Sequence, residues 1–125
     1  MNKPDSLRKS FNACGVYVFV MTPFKTTQNR QGKYEIDLAG VEKNIRYFSS
    51  IKGEKTMVLC GGSGEFRSLS PSEVMAVAEA AVAGADGRCK IVVGIGGPNR
   101  VAVNMAQAAQ AVGCDAVLVM PHEVV

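Results

Sequence analysis

TMVLCGGSGEFRSLSPSEV, residues 56–74, sets a short apolar run, a glycine-rich turn and a helix start in direct succession. The run over residues 56–60 has no polar alternation, which suits a strand of a parallel sheet covered on both faces better than a half-solvated antiparallel strand. Ser70-Pro71-Ser72-Glu73 then puts Ser at N-cap, Pro at the first helical position and Glu at N3. This is a capping box, in which side chains satisfy the orphan N–H groups of the first turn. Val74, Val77, Ala78 and Ala81 carry one apolar face forward at helical spacing.

Working outward, three more apolar runs, over residues 15–21, 91–94 and 116–120, have the same character and are read as strands. Between the first two strands, Asp37 caps a helix with apolar positions Leu38, Val41, Ile45 and Phe48, and Gly53 lies just past its end. An alanine-rich helix over residues 101–112 stops at Gly113. The order is β-α-β-α-β-α-β. Right-handed crossovers put all strand C-termini on one face, where the loops at residues 22–24, 61–67, 94–99 and 121–123 converge. The expected fold is α/β: a (β/α)8 TIM barrel represented by about its first four strands, since a whole barrel needs about 250 residues, with a small flavodoxin-like domain sharing the alternation but lacking a closing helix. Residues 1–14 are read as an N-terminal extension and 15–125 as the N-terminal half of the barrel, with no helix covering the fourth strand and two open strand edges.

At 125 residues, 47% hydrophobic and 20% charged, the chain has the composition of one globular domain. Its net charge of +3 is dispersed, so no basic stripe marks a nucleic-acid or membrane surface. Cys14, Cys60, Cys89 and Cys114 form no CxxC pair, which speaks against a zinc site or redox dithiol and for core thiols in a reducing compartment. Residues 1–12 lack the apolar stretch of a signal peptide and residues 16–21 are too short to span a bilayer. The expectation is a cytoplasmic protein acting without nucleic acid, membrane or metal.

Gly61-Gly62-Ser63-Gly64 suits a carboxylate, since glycines let backbone N–H groups face a concavity and Ser63 adds a hydroxyl. The rival reading is a tight turn whose glycines only permit positive φ. No Lys-Ser or Lys-Thr follows as a P-loop needs, and GxGxxG is incomplete both here and at residues 94–99. Asn99 reads as a helix cap, and Thr22-Pro23 either as a strand stop or as a wall of the site. Glu65 is either a general acid or base or, preferred, a pin accepting backbone N–H groups. Arg67 is a solvated charge or an attractor of anions, and His122-Glu123 an exposed loop or a reactive pair.

From about Gly15 onward the chain resembles the dihydrodipicolinate synthase and N-acetylneuraminate lyase family. The resemblance rests on Val20-Met21-Thr22-Pro23-Phe24, on Gly61 to Glu65 with Leu69-Ser70-Pro71-Ser72-Glu73, on the third strand with its glycine loop, and on Gly113-Cys114-Asp115-Ala116 leading to Pro121. It implies a (β/α)8 lyase in which a lysine amine forms a Schiff base with a 2-keto acid, an electron sink for cleavage, condensation or dehydration, with no cofactor. It also implies that Ser63, with the N–H groups of Gly62 and Ser63, binds the keto acid's carboxylate, that Thr22 helps shape the pocket, that Gly61, Gly64 and Glu65 support the loop, and that the assembly is a homo-oligomer. Gly62 departs from the hydroxyl residue most members carry in their proton relay, and Gly-Gly-Ser-Gly-Glu-Phe is nearer the 5-dehydro-4-deoxyglucarate dehydratase branch. His122-Glu123 replaces the aromatics that many members place after Pro121.

The resemblance places the Schiff-base lysine and its partner tyrosine beyond Val125, so no catalytic residue is expected within this chain. Lys25, Lys52, Lys55 and Lys90 do not match that lysine's place. The leading expectation is a dehydratase- or aldolase-like lyase on a 2-keto sugar acid, inactive as this chain alone. The alternative is a non-catalytic half-barrel that self-associates as a binding or structural module.

Overall fold

The computed structural model describes residues 15–122. The proposed extension over residues 1–14, with Cys14, and Glu123 at the other end lie outside the described residues. Within them the order is β1 (Val16–Phe19), β2 (Phe24–Gln28), β3 (Tyr34–Ile36), α1 (Leu38–Ser50), β4 (Lys55–Leu59), a single 3-10 turn (Phe66–Ser68), α2 (Pro71–Ala85), β5 (Lys90–Ile95), α3 (Asn99–Val112) and β6 (Ala116–Val119).

The four expected strands form one parallel sheet in the order β1-β4-β5-β6. Consecutive parallel strands laid side by side in chain order, each joined by a right-handed crossover, put every helix on the same side of the sheet. The alternation of side chains follows. Met57, Leu59, Ile91, Val93 and Ile95 point into one core with Val41, Ile45, Val74, Val77 and Ala78 of the helices. Thr56, Val58 and Val92 lie on the other face, buried by neighbours within the sheet rather than by a second layer of helices. The expected burial on both faces holds for β4 and β5, where successive residues are buried, and not for the edge strands β1 and β6. On that inner face the edge strand β1 leaves Tyr17 and Phe19 about half exposed, at 46% and 51%.

The capping box is as read. Ser70 Oγ accepts from the Glu73 N–H at 3.2 Å, and Glu73 Oε1 accepts from the Ser70 N–H at 2.9 Å. Asp37 Oδ1 accepts from the Gly40 N–H at 2.9 Å and starts α1. A Cβ on Gly84 would lie 2.5 Å from the Glu42 carbonyl oxygen, so its absence lets α2 cross close over α1, where Val41 and Ile45 are buried. Gly113 ends α3 at φ 101°.

Two local readings are corrected. The cap of α3 is Pro98, not Asn99: Asn99 is the first helical residue and no side chain caps that end. After the first strand the sequence indicates a loop at residues 22–24 and no element before α1, whereas β2 and β3 form an antiparallel hairpin there. Asn29 turns it, its Oδ1 accepting from the N–H groups of Gln31 and Lys33 at 2.9 and 3.0 Å, and Lys25 pairs with Glu35 across it at 3.3 Å.

Candidate functional site

Residues 60–69 leave the C-terminal end of β4 in a compact turn. The Glu65 N–H donates to the Gly62 carbonyl at 3.1 Å and the Phe66 N–H to the Gly61 carbonyl at 3.2 Å. The left-handed conformations fall on the flanks, at Cys60 (φ 55°) and Glu65 (φ 60°), and not on Gly61, Gly62 or Gly64. Positive φ therefore does not account for the loop glycines.

Close approach accounts for two of them. A Cβ on Gly64 would stand 2.7 Å from the Cys60 nitrogen and 3.1 Å from the Val20 carbonyl oxygen, and one on Gly61 would stand 3.3 Å from the Phe19 ring. Gly62 differs, because a Cβ there would meet nothing within 4 Å. Across the sheet, the Cys60 carbonyl passes directly over Gly94 of β5, where a Cβ would overlap its oxygen. A left-handed non-glycine residue costs roughly 1–3 kcal/mol and persists only where its surroundings enforce it. Here Gly94 supplies the clearance. The signal was a glycine inside an apolar strand run, which marks close backbone approach.

Thr22 is buried, and its Oγ1 donates to the Gly64 carbonyl at 2.7 Å, tying the end of the first strand to the loop. Ser63 and Gly62 are exposed at the loop's crest. Among the described residues, the N–H groups of Gly62 and Ser63 donate to no backbone carbonyl outside regular elements. The arrangement offers two main-chain donors and a hydroxyl beside each other at the C-terminal ends of the strands, a combination suited to an anion.

Glu65 does not pin the loop through its side chain. It sits before the 3-10 turn with no side-chain capping bond, and the holding is done by its backbone, whose carbonyl accepts from the Ser68 N–H at 2.9 Å. Arg67 and Phe66 line a recess of about 200 Å³ shared with Gly96, Gly97 and Val101. His122 is exposed. A larger recess of about 400 Å³, with Lys55, Arg88, Cys89 and Asp115 in its wall, lies at the opposite, N-terminal ends of β4 and β5, away from the glycine loop. Among the described residues no group of three or more His, Cys, Asp or Glu could hold a metal, and no helix is long and apolar enough to cross a membrane.

Burial pushes the Cys60 thiol up to about 12, so it is protonated and non-nucleophilic at neutral pH. Titration with a thiol-reactive disulfide at pH 8 is expected to leave Cys60 unmodified in the native chain and to modify it once urea unfolds it. Because the folded thiol binds its proton more tightly than an unfolded one near 9, stability falls as pH rises from about 9 toward about 12. Rapid native labelling at Cys60 would contradict its enclosure.

Parallel strands in chain order, crossovers on one side and an anion-suited loop at the strand C-termini define part of an α/β barrel. The chain belongs to the dihydrodipicolinate synthetase family, whose model matches residues 12–122. It is 41% identical over 120 residues to a "Probable 5-dehydro-4-deoxyglucarate dehydratase" of Paracidovorax citrulli, an alignment covering 96% of this chain and 37% of that protein. A protein of the same description from Ectopseudomonas mendocina is 33% identical over 91% of this chain and 35% of its own length. Among solved structures, dihydrodipicolinate synthase from Aquifex aeolicus superposes with TM-score 0.76 at 32% identity, over 88% of this chain and 35% of that one. The synthase from Bacillus clausii gives 0.75 at 26%, with the same coverage of each. The chain thus spans about a third of the length of the curated relatives it matches.

Proposed function

We propose that residues 60–67 form the carboxylate-binding part of a Schiff-base lyase that dehydrates a 2-keto sugar acid. The observation that supports this reading is the pair of N–H groups on Gly62 and Ser63, which donate to no backbone carbonyl among the described residues, beside the Ser63 hydroxyl on a loop held by Thr22. Charge-assisted bonds from such donors to a carboxylate are about twice as strong as neutral ones. Held there by its carboxylate, a 2-keto acid presents its carbonyl for attack by an amine; the iminium that forms with loss of water acidifies the neighbouring carbon, a proton leaves that carbon, and the electron pair it leaves behind expels hydroxide from the carbon after it.

Lys25, Lys52, Lys55 and Lys90 are poorly placed to supply that amine. Lys55 and Lys90 begin β4 and β5, at the end of the sheet away from the loop, and the Lys55 ammonium donates to the Ile51 and Gly53 carbonyls. Lys25 is paired with Glu35 on the hairpin, and Lys52 follows α1. Borohydride treatment of the chain with pyruvate is therefore expected to give no covalent adduct. Amide NMR titration with pyruvate is expected to shift Gly62 and Ser63, and Ser63→Ala to weaken binding about 10-fold, as the loss of one hydrogen bond to a charged group does. Unchanged affinity in Ser63→Ala would remove the basis of the proposal.

A further inference from the structure

We draw no further inference here: the strongest candidate, the recess of about 400 Å³ at the N-terminal ends of β4 and β5, carries nothing, because Lys55 is spent on the Ile51 and Gly53 carbonyls, Arg88 on the Gly84 carbonyl and Asp115 on the Ile91 N–H, and nothing in its wall points to a ligand.

Discussion

Gly94→Ala is expected to lower the urea midpoint of the folded chain sharply, although it adds one methyl group. Position 94 lies in β5 next to β4, where the chain turns out of the sheet through left-handed Cys60. The turn swings the Cys60 carbonyl over the α-carbon of Gly94, and a Cβ there would overlap that oxygen. Backbone meets backbone at this point, so no side-chain rotation relieves the clash. Either β5 moves away from β4, opening the C-terminal end of their ladder, or Cys60 loses its conformation and the glycine loop its course. Both outcomes disrupt a core in which Leu59 and Val93 are buried. A loss on the order of 4 kcal/mol is expected, against the roughly 5–15 kcal/mol that stabilises a typical native domain. Circular dichroism across a urea series measures it. A Gly94→Ala chain that unfolds cooperatively at the parent midpoint would mean that the carbonyl of Cys60 does not lie over β5.

Thr22→Val is expected to act on the loop more than on the sheet. Valine fills nearly the same volume but cannot donate to the Gly64 carbonyl, whose partner is the Thr22 hydroxyl at 2.7 Å in a buried setting. A buried acceptor left unpaired costs about 1–3 kcal/mol. Thr22→Ser keeps the donor and should recover most of that. The loss should also show locally: amide exchange at residues 62–66 rises in Thr22→Val, while α2, anchored by its own capping box, exchanges as in the parent. Since the loop presents the N–H groups of Gly62 and Ser63, pyruvate affinity should fall together with loop protection. Uniformly faster exchange throughout the chain, α2 included, would show instead that Thr22 only supports the end of the strand.

Much of this organisation is legible in the residues. The four strands of the sheet stand out because their apolar content is nearly continuous, and α2 because Ser70, Pro71 and Glu73 are adjacent in sequence and act on one another. What depends on one turn of local chain is readable. The hairpin β2–β3 is harder, since Lys25, Thr26 and Thr27 are exposed and give no apolar alternation; its signal is Asn29 and Gly32 between threonine- and tyrosine-bearing segments. Pro98 and Asn99 compete for one cap position, and composition favours Asn while the backbone places Pro there. The loop was legible as glycine-rich but not in its reason. A glycine that clears neighbouring backbone and one that stands in the open look alike in sequence, and only the positions of Cys60 and Val20 separate Gly64 from Gly62.

Thr22 reaches Gly64 from 42 positions away, and Gly94 meets the carbonyl of Cys60 across the sheet. A peptide carrying only residues 60–69 has neither the hydroxyl that holds Gly64 nor the strand whose glycine admits the carbonyl of Cys60. Closing such long loops is entropically slow compared with forming a helix turn or a hairpin. The shape of the glycine turn is thus a property of the assembled sheet: β1, β4 and β5 must already be in register before the turn exists. An anion that binds the finished turn, and not the unassembled chain, would accordingly stabilise the alignment of these three strands as a group, and its effect would register on residues far from any atom it touches.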